Sequence, residues 1–156
     1  MKLLSNLAAV ALIALLGTAP LLAQPTRIGT FDKRSVVVAF YRSPLWAGIL
    51  KSKTAEMESA RKANDTKKIE ELKAWGGASQ ELAHRQLAGK APITNILEAL
   101  APAFPEIAQK ADVASIATDT PPVNAEVQTV DVTDLLLDWL KADEATRKIV
   151  RDLRNH

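Results

Sequence analysis

The chain has 156 residues, no cysteine, 20 basic and 18 acidic side chains, and a formal net charge of +2. That composition excludes a disulfide scaffold and cysteine-ligated zinc, and gives no overall basic balance to suit a nucleic-acid partner. An apolar fraction of 47% over this length suits one domain with a modest core, stabilised by packing or by oligomerisation.

The chain opens with the features of a secretory leader. Lys2 precedes an uninterrupted apolar run over 7–16, Gly17, Thr18 and Pro20 break it, and the small Ala23 precedes Gln24. We read 1–23 as a signal peptide cleaved before Gln24, which places the remaining chain in the periplasm. The run is shorter than the ~20 residues that span a bilayer, which disfavours the alternative of an uncleaved anchor. Acylation as a lipoprotein needs a cysteine that is not there. Charge is unevenly spread: bases exceed acids by five over 27–73, and acids exceed bases by four from Gly76 onward. Such asymmetry points to an electrostatic face that meets partners.

Residues 28–31 alternate as a short strand, and Asp32 stands where a carboxylate caps a helix. Val36, Val37, Val38, Phe40 and Tyr41 follow as a short helix, or as a continuation of the strand, since three consecutive valines suit either. Ser43 and Pro44 form a helix start, serine as cap and proline in the first turn, where its missing amide costs nothing. No glycine or proline except Gly48 interrupts up to Ala74. Leu45, Ile49, Met57, Ala60, Leu72 and Trp75 share one face at helical spacing. A stripe so sparse suits a thin hairpin on one partner helix. The spacing predicts one long helix turning back at Gly76 and Gly77, so that 44–111 forms an out-and-back arm. Its return limb is kinked at Gly89, Pro92, Pro102 and Pro105.

Residues 112–119 read as a strand, Pro121 and Pro122 as a loop, and 123–130 as a second strand. Asp131 and Thr133 cap a helix carrying Leu135, Leu136, Leu137, Trp139 and Leu140. A charged helix begins at Asp143 or Glu144, with Ile149, Val150 and Leu153 as a narrow apolar face. The fold class expected is α+β: a small β body (24–43 and 112–142), a helical hairpin arm (44–111) and a helical extension (143–156).

Chemistry is scarce. His84 has no second ligand at metal spacing, Gly76 and Gly77 lack the rest of a phosphate loop, and Ser79 with His84 has no nucleophile elbow. We expect no enzyme, metal or cofactor, with a small hydrolase as a minor alternative. Trp46 and Trp139 are expected to pack in the body. Trp75, beside the glycine pair, is either an exposed tip contact or buried under the return limb.

The segments RIGTFDKRSVVVAF, KADVASIATDT and VQTVDVTDLLLDWLK, in this order around a long helical hairpin, resemble the Skp/OmpH family of periplasmic chaperones. The resemblance covers most of the mature chain in layout and about forty residues in letters. It implies a homotrimer with a central β body and arms that hold unfolded outer-membrane proteins without ATP or cofactor. Lys51, Lys53, Arg61, Lys62, Lys67, Lys68 and Lys73 would then form the basic, client-binding face of the arm. Peripheral membrane contact is a further expectation, and a structural or scaffolding protein of the same fold is the alternative. The short arm, the prolines of the return limb and the C-terminal extension depart from the family pattern.

Overall fold

The computed structural model describes residues 25–119 and 127–155. In chain order these form β1 (Thr26–Thr30), α1 (Lys33–Tyr41), α2 (Pro44–Lys62), α3 (Thr66–Leu87), α4 (Thr94–Leu100), a 3-10 turn (Ala101–Ala103), α5 (Phe104–Ala111), β2 (Ser115–Ile116), β3 (Val127–Asp131), α6 (Thr133–Trp139) and α7 (Glu144–Arg154). The mixture of helix and strand is compatible with the α+β expectation. Readings that fall on 1–24 (the leader) and on 120–126 (the diproline loop) lie outside the described residues.

Three parallel strands form the sheet, in the order β2-β1-β3. The first strand is the central one, paired with β3 from Thr26↔Val127 to Thr30↔Asp131 and with β2 at Ile28↔Ser115 and Gly29↔Ile116. Gly29 is required by close approach: a Cβ there would lie 3.2 Å from Ile116 and 3.2 Å from Val132. Of the strand expected over 112–119, only Ser115–Ile116 pairs.

The valine run is helical. The Asp32 carboxylate accepts from the Ser35 amide, which closes the first turn of α1. Burial then outweighs the β-propensity of the valines. Val36, Val37, Ala39 and Phe40 are all enclosed, packed in one cluster with Ile96 and Leu100 of α4, Ile107 of α5, Leu136 and Leu137 of α6, and Val150 of α7. Each buried side chain of this size contributes about 1.5–3 kcal/mol by leaving water.

Three expectations need correction. The turn of the hairpin is not at Gly76 and Gly77. The chain reverses over 63–65, where Asn64 takes a left-handed conformation (φ 51°) and Asp65 caps α3 through the Lys68 amide. Asparagine tolerates that backbone, and the cap follows at once. Gly76 and Gly77 sit inside α3. Turning there would have cost the burial of Leu72 and the seat of Trp75 against α2. Second, the arm does not run to 111. Gly89 (φ 68°) ends α3, and 94–111 is folded into the body with Ile96, Leu100, Ala103 and Ile107 buried. The prolines do divide this stretch: Pro92 precedes α4, Pro102 lies in the 3-10 turn, and Pro105 is in the first turn of α5. Third, the helical extension, as far as residue 155, is docked on the body. Asp143 caps α7, Thr146 and Val150 are buried, and Arg42 of the α1–α2 junction donates to the Thr146 hydroxyl.

Candidate functional site

Two elements stand out from the core: the α2–α3 hairpin, and the grooves where it meets the body. α2 starts as the sequence predicts, the Trp46 amide donating to the Ser43 hydroxyl oxygen. Trp46 then packs on Phe40 (centroids 5.8 Å apart), Tyr41 (5.0 Å) and Trp75 of α3 (6.1 Å). The base is further tied by Gln86. The Tyr41 hydroxyl donates to its side-chain oxygen, and its amide nitrogen donates to the Pro92 carbonyl and to Asn95, each at 2.7 Å. Those bonds satisfy a side chain that is only 2% exposed, as burial demands.

Beyond this base the two helices rely on each other. From Trp46 to Lys62 the arm extends about 24 Å at ~1.5 Å per residue. Between Leu50 and Ala83 only Ala60 and Leu72 are buried. Trp75 is therefore not a tip residue. It is half-buried midway along α3, and the Lys53 ammonium lies 5.7 Å from its ring centroid. Facing α2 holds it there.

The seven basic residues of the expected client-binding face divide into two groups. Lys53 bonds Glu56 at 2.9 Å, Lys68 reaches Glu56 (3.7 Å) and Glu71 (3.9 Å), and Lys73 bonds Glu70 (2.8 Å). The Lys68–Glu56 contact stitches α3 to α2. The hydrogen bond from Lys53, opposed by desolvation and aided by Lys68, holds the Glu56 carboxyl below its ordinary pKa. Lys51, Arg61, Lys62 and Lys67 are exposed, with no carboxylate within 4 Å among the described residues. Arg61, Lys62 and Lys67 flank the turn. The positive surface is thus a basic tip with Lys51 further back, not one continuous face. Arg61 and Lys62 also sit in the last turn of α2, where cations offset the helix dipole.

Apolar surface accompanies these charges. Leu50 is 43% exposed and joins Met57, Leu72 and Trp75 along a shallow groove between α2 and α3, bordered by Lys53, Glu58 and Arg61. At the base, Leu45 (37% exposed) opens onto a larger groove of 660 Å³ with Leu135 and Trp139, edged by Lys110 and Asp138. Hydrogen bonding to Glu106 raises the Lys110 ammonium above its ordinary pKa. The sequence reading did not single out Leu50. Its signal was an apolar residue next to, and not on, the inward stripe of α2.

The remaining sequence candidates have structural occupations. Partial burial pushes the Asp131 carboxyl up, but hydrogen bonds from Thr133 and the charge of Arg154 outweigh it and hold the pKa below its ordinary value. Thr133 also accepts from the Asp32 amide at 2.9 Å. His84 is exposed on α3, and no group of three or more His, Asp or Glu side chains converges among the described residues. No described helix is long and apolar enough to cross a membrane. No protein-family model, curated protein or solved structure matches the chain.

Proposed function

We propose that this protein is a non-enzymatic periplasmic holdase that engages unfolded outer-membrane polypeptide through the α2–α3 arm, without ATP, as a homotrimer. One observation carries the reading: helices of 19 and 22 residues bury only Ala60, Leu72 and Gln86 fully, while the tip displays cations with no carboxylate within 4 Å among the described residues and Leu50 lies open further back along the same groove. So long a hairpin contributes little to the core, and its surface chemistry suits weak, exchangeable contact with an acidic, partly apolar chain. Long-range attraction to the basic tip would speed encounter, and the apolar strip would prolong it.

The test is suppression of aggregation of an unfolded outer-membrane barrel by the wild type and by the triple variant Arg61→Glu, Lys62→Glu, Lys67→Glu. Wild-type protection should weaken as salt shortens the screening length from ~10 Å at 0.1 M to ~3 Å at 1 M, and charge reversal should abolish most of it. Absence of wild-type protection, or a variant that protects equally well, would overturn the proposal. A monomer in sedimentation would remove the trimer.

The ion pairs joining Lys53, Glu56, Lys68 and Glu71 favour a second reading, that of a scaffolding protein with one fixed partner. They stiffen the arm and occupy part of its charge. A stoichiometric complex with one folded protein, without protection of unfolded chains, would select it.

A further inference from the structure

Where the chain leaves β1 for α1 and leaves β2 at Ile116, the first turn of α1, the α3–α4 loop and residues 118–119 surround a cleft of 570 Å³. That volume lies within the ~300–1,000 Å³ usual for small-molecule sites. Its position is also the one ligands favour in open parallel sheets, outside the carboxyl ends of the strands.

The chemistry of the lining is one-sided. Lys33 and Arg34 enter from α1 and Lys90 from the loop, against a single lining carboxylate among the described residues, Asp119. Asp119 bonds Lys33 at 3.4 Å. Arg34 and Lys90 have no carboxylate within 4 Å among the described residues. Thr94 and Thr118 add hydroxyls, and the buried Ile93 with half-buried Leu97 gives one apolar wall. The loop that presents Lys90 is held in shape. Gly89 takes the left-handed turn, and Gln86 anchors Pro92 and Asn95 from below. Such a loop loses little freedom when a ligand binds.

We infer that this cleft binds a phosphate-bearing small molecule or headgroup, its oxyanion held between Arg34 and Lys90. A guanidinium and an ammonium lining one cleft from different elements suit a multiply charged tetrahedral anion, which accepts from several directions at once. The apolar wall leaves room for the organic part.

The experiment titrates the purified protein with pyrophosphate by calorimetry and, in parallel, with phosphatidylcholine vesicles with and without phosphatidic acid by co-sedimentation. Binding of pyrophosphate alone assigns a soluble phosphate, and binding only to the acidic vesicles assigns a headgroup. In either arm Arg34→Gln and Lys90→Gln should each weaken binding about tenfold, the loss expected for one charge-assisted hydrogen bond. Asp119→Asn should tighten it, and Lys51→Gln on the arm should leave it unchanged. All four side chains are exposed, and unchanged thermal unfolding verifies that each variant is folded. The inference fails if neither probe binds, or if Lys51→Gln weakens binding as much as Lys90→Gln, because the attraction would then be diffuse.

Discussion

Replacing Gly76 and Gly77 together by alanine separates the two places where the hairpin could turn, because the sign of the effect differs. In α3 both glycines are helical, neither has a positive φ, and an added Cβ meets nothing within 4 Å at either position. Alanine there removes backbone freedom from the unfolded chain without strain. A glycine in a helix interior costs about 0.8–1.0 kcal/mol relative to alanine, so the pair should stabilise by about 1.6–2 kcal/mol. For a domain of this size that corresponds to a rise in Tm of roughly 5–10 °C. Urea unfolding followed by circular dichroism gives the free energy directly, and an unchanged m-value would show that the denatured state is unaltered. A turn at the glycine pair would instead need left-handed backbone, where alanine costs ~1–2 kcal/mol per residue. A fall in stability would therefore refute the placement of the turn over 63–65.

Other expectations follow from named contacts. Asn64→Gly should be neutral or stabilising at φ 51°, whereas Asn64→Val should lose about 1–2 kcal/mol in the same urea assay. Trp75→Ala should cost about 2 kcal/mol, less than the ~3–5 kcal/mol of a fully buried tryptophan, and should speed hydrogen exchange in the outer halves of α2 and α3 before the body responds. Acid stability depends on Asp131 and Asp143, whose carboxyls lie below their ordinary pKa in the folded protein, the latter through hydrogen bonds from Thr146. Depressed folded values contribute stability that is complete above the unfolded pKa, near 3.8, and is lost as pH falls through the folded values. Unfolding midpoints should hold from pH 8 to about 5 and drop below about 4, and Arg154→Gln should make that drop shallower.

Short-range features were legible in the sequence. Asp32, Ser43, Asp65 and Asp143 each receive an amide three residues on, a contact that needs no knowledge of the rest of the fold. All but Asp65 could be named from the chain alone. Asp65 is obscured because two glycines eleven residues later look like a stronger turn signal than Asn64. What decided between them was non-local: Leu72 and Trp75 bury surface against α2 only if the chain reverses early. The stripe of Ile93, Ile96, Leu97, Leu100 and Ile107 was likewise visible as helix, but not as core, because periodicity shows that a face is buried and not what buries it. The same holds at the tip. The cations could be read off, and Lys53, Lys68 and Lys73 each have a carboxylate three residues away on their own helix, whereas the Lys68–Glu56 contact depends on which turn of α3 lies beside which turn of α2.

The central position of β1 has a consequence for synthesis. Thr26 pairs with Val127, so the middle strand is made 101 residues before its longer neighbour. At ~5–20 residues per second that is a delay of roughly 5 to 20 seconds. Until then β1 has no five-residue partner, and α1 lacks the α6 and α7 side chains that enclose its valines. The arm helices, joined by a three-residue reversal, can form meanwhile. A chain that emerges N-terminus first therefore completes its hairpin early and its sheet last, so a truncation before Val127 would leave the first strand without its main neighbour.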